Sequence, residues 1–228
     1  MKDEHNVLQN VKLVEKITNI KGEPEKLEIY LRQEDEVRAL KWLKENNFSK
    51  KYLVGFHAGS SLLKNHVYKR WSKKKYAELG KKLMNEYNAK ILLFGNEFEL
   101  NDEINKLMNS EGLITSTENY MDSMARMKHC KLFISNDTAF LHSAAAFQIP
   151  TVGIFAYTNY KELYPWKTEH IIIRKDLECS PCFHNSPTPA SCEWKGDEEF
   201  KCIKTISLDE VYEACKKLIQ KVPHDSKP

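Results

Sequence analysis

The stretch from Lys131 to Phe155 constrains this chain most, because it reads as one complete strand-helix-strand unit. Leu132 to Ile134 is an apolar run of strand length. Ser135 to Thr138 are polar residues of the kind that cap helices, and the Ala-rich segment after them combines high helix propensity with side chains small enough to lie close on a sheet. Pro150 stops that helix before a second buried strand, Thr151 to Phe155. Two parallel strands joined by a helix need further strands beside them, so the unit implies a larger α/β sheet. Asn136, Asp137 and Thr138 then stand at the carboxyl end of a strand and the amino end of a helix. Open α/β sheets bind ligands there, and free backbone N–H groups attract phosphate. Helix capping by Asp137 or Thr138 without any ligand is the competing account of that position. His142 lies one turn further on, where a packed or solvated histidine is the simpler account unless other observations join it.

The chain has 228 residues, enough to bury one sizeable α/β domain with appended segments. Lys and Arg number 35 against 32 Asp and Glu, and the lysines are scattered among glutamates, so no nucleic-acid footprint is indicated. No apolar run approaches the roughly 20 residues of a membrane span. The first ten residues are polar and mixed in charge, unlike a signal peptide, so a soluble, cytoplasmic chain is expected.

Taken in order, Val7 to Ile17 follow a partly helical pattern on a segment too short to stand without a surface to lean on. A helix from Glu34 to Asn46 carries Val37, Leu40 and Leu43 on one face, and the link through Ser49 ends it. Tyr52 to Phe56 is the first core strand. His57-Ala58-Gly59-Ser60-Ser61 leaves it as a small-residue loop, which suits either backbone approach to phosphate or a plain turn. Lys69-Arg70 precedes a helix spanning Lys75 to Tyr87, with Tyr76, Leu79, Leu83 and Met84 inward. Positive charge at that helix start opposes the macrodipole, so the pair either holds an anion or is simply solvated. Lys90 to Phe94 is a second strand, and Glu97 beyond it either takes ribose hydroxyls or stabilises the next helix, with Glu99 a competing choice. Leu113-Ile114, Leu132 to Ile134, Val152 to Phe155 and Ile171 to Ile173 complete the strands. The aromatic segment Tyr157 to Trp166 either walls a pocket or packs on its own domain. Ser207 with Glu210 opens a final helix, and a polar tail follows from Pro223.

In order and spacing, Ser135-Asn136-Asp137-Thr138, His142, Ala144-Ala145-Ala146, Ile149-Pro150-Thr151 and Phe155 resemble the signature of glycosyltransferase family 9, which holds the ADP-heptose:lipopolysaccharide heptosyltransferases. Ala139 stands where that family usually has Gly. The family's His-x-Gly-x-Ser and later Lys-x-Trp are matched by His57, Gly59 and Ser61 and by Lys69 and Trp71. The resemblance implies one half of a GT-B glycosyltransferase, an α/β chain with a Rossmann-like doubly wound parallel sheet. It implies donor binding by Ser60, Ser61, Lys69, Glu97, Asp137, Thr138 and His142, with Lys69 on the donor phosphate. His5 resembles the crossover that ends the family's first domain, and Leu27 to Leu31 the lead-in to its second. The chain is therefore expected to lack the acceptor-binding N-terminal domain and the catalytic base that it carries.

Cys179, Cys182, Cys192 and Cys202 gather in a segment rich in Pro, Ser and charge. Close thiols in a cytoplasmic chain suit tetrahedral zinc, although Cys192 and Cys202 are not a second close pair; a reduced cluster or a redox-sensitive loop are the alternatives. The expected organisation is a hinge with lead-in helices over 1–48, a nucleotide-sugar-binding domain over 49–175, a Cys-rich loop over 176–206, and a helix with tail over 207–228. The expected function is transfer of a sugar, ADP-heptose by resemblance, to lipopolysaccharide core, with no cofactor in the chemistry and a location peripheral to the inner membrane. A non-catalytic nucleotide-sugar module, a split-enzyme subunit and a zinc-stabilised interaction domain are the rivals.

Overall fold

The computed structural model describes residues 3–48, 51–115, 119–183 and 187–221; Ser49 and the tail from Pro223 lie outside the described residues. Six parallel strands form one sheet: β1 (Tyr52–His57), β2 (Ala89–Leu93), β3 (Leu113–Ile114), β4 (Leu132–Asn136), β5 (Thr151–Ile154) and β6 (His170–Ile173). Their order, β3-β2-β1-β4-β5-β6, is that of a Rossmann-like doubly wound sheet, as expected. The direction of winding reverses between β1 and β4, where His57 is in register with Ser135, and a crevice opens beyond those strand ends.

β1, β4 and β5 are buried at every position, which is why they read as unbroken apolar runs. The two-residue period still sorts the side chains. Val54, Phe56, Ile91 and Ile134 face a layer built from α3 (Lys73–Tyr87), α4 (Phe98–Leu107) and α9 (Leu208–Lys221). Leu53, Leu92 and Phe133 face the opposite layer with α2 (Gln33–Glu45), α5 (Tyr120–Met127) and α6 (Ala139–Ala146). Burying one such Leu or Phe contributes roughly 1.5–3 kcal/mol. The Ser207 and Glu210 pair forms a reciprocal capping box on α9, the Ser207 amide donating to Glu210 Oε2 at 2.8 Å and the Glu210 amide to Ser207 Oγ at 3.2 Å.

α1 (Asn6–Thr18) leans on the body without burying a residue of its own, anchored by His5, whose Nδ1 accepts from the Val7 amide and whose Nε2 meets the Tyr164 carbonyl at 2.8 Å. α2 departs from the expected face. Leu43 is buried, but Val37 and Leu40 are exposed, because Asp35, Ala39 and Leu43 turn inward and the Asp35 carboxylate accepts from the Arg32 amide. The aromatic segment is largely buried and packs partly on the lead-in: Tyr157 and Trp166 are buried, Trp166 Nε1 donates to the Glu25 carbonyl and Tyr164 meets His5. Short elements absent from the sequence pattern are α7 (Tyr160–Leu163), α8 (Lys201–Lys204) and 3₁₀ turns at Leu63–Lys69 and Gly196–Glu198. Among the described residues no helix is long and apolar enough to cross a membrane.

The zinc site expected at Cys179, Cys182, Cys192 and Cys202 is not supported. All four are free thiols, and among the described residues no three His, Cys, Asp or Glu side chains converge to hold a metal. Cys202 turns into the core on α8, and Cys192 Sγ accepts from the Phe200 amide. Burial, reinforced by the neighbouring thiols, pushes Cys202 up to about 11 and raises Cys182, so in the metal-free chain these sulfurs are protonated.

Candidate functional site: the crevice at the strand-order reversal

Asn136, the last residue of β4, holds the crevice together. It is fully buried, and its Nδ2 donates to the carbonyls of Ala58 at 2.7 Å and Gly59 at 3.2 Å. Its Oδ1 accepts from the Trp71 amide at 3.1 Å and lies 3.3 Å from the Tyr76 hydroxyl. One side chain thus fixes the loop after β1 and the entry to α3 against β4. Trp71 is buried behind it and donates Nε1–H to the Ile206 carbonyl.

With that frame set, the residues on either side of Trp71 and Asn136 face each other. Lys69 Nζ donates to Asp137 Oδ2 at 3.0 Å, and both side chains are almost fully buried. Lys69 is therefore not a solvated lysine. Arg70 Nε donates to Ser60 Oγ at 3.0 Å, and Ser60 Oγ donates in turn to the His66 carbonyl at 2.7 Å. Ser61 Oγ accepts from the Leu63 amide, so both serines shape the loop that carries them. This loop is also tied from outside: the Ala190 amide donates to the Lys64 carbonyl, and Asn65 Nδ2 donates to the Ala190 carbonyl. Lys64 and Asn65 both sit at positive φ, 54° and 61°, and those ties hold them there.

Neither Asp137 nor Thr138 spends its side chain on capping. Thr138 is the residue at the N-cap of α6, yet its side chain makes no capping bond and meets His57 Nδ1 at 2.9 Å instead. The start of α6 accordingly has no side-chain cap; the Leu141 amide donates to the Thr138 carbonyl, and Ala139 and Phe140 line the crevice. Glu97 precedes α4 but turns back under Gly59. Its Oε2 lies 3.6 Å from His57 Nε2 and its Oε1 3.7 Å from an Arg70 nitrogen. Burial pushes the Glu97 carboxyl up, but His57, its own amide and Arg70 together outweigh that and hold it below the ordinary carboxylate range. Glu99, the competing choice, is exposed in the first turn of α4.

The result is a cleft of about 370 Å³ lined by His57, Ser60, Lys69, Glu97, Asp137 and Thr138, among others, with Phe140 at its edge. A wider recess of about 650 Å³ beside it shares Ser60, Ser61 and Glu97 and adds Arg70 and Phe98. Six of the seven expected donor-binding residues line the cleft. His142 does not, although its ring lies within electrostatic reach of Asp137, and burial lowers its pKa. In the sequence, Arg70 stands out only as one of a basic pair that either holds an anion or is solvated, and His57 only as part of a family pattern. For His57 the signal was its place in the His-x-Gly-x-Ser pattern.

The chain's similarities agree with this geometry. Residues 1–190 match glycosyltransferase family 9 (heptosyltransferase). A lipooligosaccharide heptosyltransferase 2 of Campylobacter jejuni serotype O:2 is 26% identical over 231 residues, which cover 96% of this chain and 65% of that relative. Among solved structures, the family 9 glycosyl transferase of Veillonella parvula superposes with a TM-score of 0.77 at 17% identity, covering 97% of this chain and 61% of its own. The E. coli ADP-heptose lipopolysaccharide heptosyltransferase II gives 0.63 at 20% identity, covering 88% and 55%. This chain thus spans about 65% of the relative and less of each solved chain. With a buried ion pair at the strand-order reversal, a Rossmann-like sheet and a family match over most of its length, the chain belongs to glycosyltransferase family 9.

Proposed function

We propose that the chain is the donor-binding part of a heptosyltransferase, that its cleft takes the diphosphate of a nucleotide-activated sugar, ADP-heptose by similarity, and that the acceptor is lipopolysaccharide core. The observation that carries this is the buried Lys69 and Asp137 pair beside the uncapped start of α6. A lysine held out of solvent and the uncapped first turn of α6 share one cleft, and a diphosphate needs such donors. In transfer, the acceptor hydroxyl oxygen bonds to the anomeric carbon and gives its proton to the base, while the bond from that carbon to phosphate oxygen breaks and its electron pair stays on the diphosphate. Lys69 and the α6 amides stabilise that growing charge. Ser60, Ser61 and Asp137 line the sugar and phosphate side, Glu97 the ribose side, and His142 stands behind Asp137. No cofactor enters the chemical step. The base that takes the acceptor hydroxyl proton lies in an N-terminal acceptor domain, and the protein works in the cytoplasm, peripheral to the inner membrane. The organisation follows: hinge and lead-in helices to residue 48, the donor domain over 49–175, the Cys-rich loop over 176–206 and the closing helix beyond.

A second reading, a binding module or split-enzyme subunit without transfer of its own, has in its favour that the polar groups of the cleft all come from one sheet and its loops. Calorimetric titration with ADP, UDP and GDP tests the shared core of both. ADP is expected to bind, and Lys69→Ala to weaken it about tenfold to a hundredfold, the worth of a charge-assisted hydrogen bond of ~1.5–3 kcal/mol. Equal affinity in the variant removes Lys69 from the site. Transfer to a heptose-deficient lipopolysaccharide by the chain alone contradicts the placement of the base outside it.

A further inference from the structure

His57 is the one titratable side chain of the cleft that the proposed donor contacts leave unused, and its two ring nitrogens face partners with opposite demands. Nε2 lies 3.6 Å from Glu97 Oε2, and a lone pair directed at a carboxylate would be repelled, so the single proton of the neutral ring belongs on Nε2. Nδ1 is then an acceptor, and the Thr138 hydroxyl 2.9 Å away must donate to it. The neighbouring Ser135 Oγ, 3.3 Å from Thr138 Oγ1, donates to the Asn136 carbonyl at 2.7 Å, so it has no hydrogen to give Thr138 and can only accept from it. With His57 neutral, Thr138 therefore presents only lone pairs to the cleft. A phosphate oxygen also carries only lone pairs, so the resting arrangement is wrong for a diphosphate by one hydrogen. One proton on Nδ1 corrects it: His57 then donates to Thr138 Oγ1, which frees the Thr138 hydroxyl hydrogen for a phosphate oxygen, a charged and stronger acceptor than Ser135 Oγ.

We propose that His57 is a positioning residue that takes up one proton when a nucleoside diphosphate enters, and thereby converts Thr138 from an acceptor into a donor to phosphate. The inference rests on the donor-site reading above. Every group facing the ring fits it. Glu97, ahead of α4, is placed to balance the imidazolium; Lys69 and Arg70, ahead of α3, disfavour charge until an anion arrives; Thr138 receives the proton's hydrogen bond; and Phe140 of α6 stacks on the ring at 4.3 Å between centroids, keeping it in plane with both partners. Burial, with smaller contributions from Arg70 and Lys69, lowers the pKa of His57 against the pull of Glu97, so the free protein holds it neutral at pH 7. A diphosphate beside Thr138 shifts that balance toward charge. His66 and His142 also lie in this region, but their electrostatic partners are Lys69 and Asp137, not Glu97.

The test is calorimetric titration of the whole chain with ADP-ribose, whose phosphates have no monoester proton to titrate near pH 6 as a terminal phosphate does at about that value. Repeating it in buffers of different ionisation enthalpy counts protons. Expected are uptake approaching one proton per ligand and an affinity that falls up to about tenfold per pH unit between the free and bound pKa values of His57. His57→Gln and Thr138→Val should each bind more weakly and lose the pH slope, whereas His66→Gln and His142→Gln should keep it. Binding of ADP-ribose with no proton uptake, or with an unchanged slope in His57→Gln or Thr138→Val, overturns the inference while leaving the donor site standing. No binding at any pH overturns the donor site itself. If His57→Gln fails to fold, the wild-type proton count and Thr138→Val decide the matter.

Discussion

Asn136→Ala is the perturbation that most directly tests how the crevice is built. The side chain is fully buried and serves the carbonyls of Ala58 and Gly59, the Trp71 amide and the Tyr76 hydroxyl. Tyr76 retains the His57 carbonyl at 3.3 Å, so three backbone groups lose their partner in a dry interior. A buried polar group left unpaired costs about 1–3 kcal/mol, and carbonyls with a second lone pair fall at the low end, so the variant should lose about 3–4 kcal/mol. At roughly 2–4 °C per kcal/mol for a domain of this size, its melting point should drop by roughly 6–16 °C. Urea unfolding followed by circular dichroism measures the first quantity and thermal melting the second. Asn136→Asp separates hydrogen bonding from volume. It is nearly isosteric and keeps an acceptor for Trp71, but it aims a carboxylate at two carbonyls, so it should be at least as damaging. A loss under about 1 kcal/mol in the Ala variant, or a neutral Asp variant, refutes the account of Asn136 as the clamp.

Gly59→Ala places a Cβ on the Glu97 carboxylate, so it should displace Glu97 and weaken ADP binding more than it lowers stability; titration alongside a urea melt checks this, and unchanged affinity counts against a role for that carboxylate. Acidification should destabilise the chain. His5, His57, His66, His129 and His142 all have pKa values lowered chiefly by burial, so the unfolded chain binds more protons in the window below about 6.5 and stability falls as pH drops through it. Melting points that stay level or rise from pH 7.5 to 5.5 contradict this, and His57→Gln should flatten the slope.

The sheet was legible because its central strands are buried on both faces: Tyr52 to Phe56 and Leu132 to Ile134 leave no polar residue to blur the run, and Pro150 marks the turn between helix and strand. Helix faces were less legible. Val37, Leu40 and Leu43 fit a buried stripe by spacing, but the stripe that packs is Asp35, Ala39 and Leu43, because Asp35 is drawn inward by a backbone amide and by Arg38. Both partners are local, three residues before and after it, yet a first-turn Asp is ordinarily a solvated residue, so its burial is not announced by spacing. The same holds for the site. Lys69 and Asp137 are 68 positions apart, and only the family resemblance set them together before the fold did. Capping by Thr138 was as good an account as ligand binding until His57 appeared beside its hydroxyl. The cysteine spacing, in contrast, suggested more than the fold delivers, since α8 carries Cys202 into the core.

Charge balance explains why the cleft is built from pairs. Lys69 is matched by Asp137 and Arg70 faces Glu97, so the resting wall carries no net charge, and the chain as a whole carries only +3. An unmatched buried lysine would be costly to hold, and its pairing with Asp137 keeps it in place. A diphosphate arriving there brings negative charge that the start of α6 offsets only by the equivalent of about half a unit. On the proposed donor reading, Lys69 divides its hydrogens between Asp137 and phosphate. Three N–H donors on one ammonium group permit this without breaking the pair, whereas a bidentate arginine in the same place would be committed to its carboxylate. Affinity in such a site comes from redirecting donors already in place rather than from long-range attraction, so it belongs to the geometry that Asn136 enforces on both loops at once.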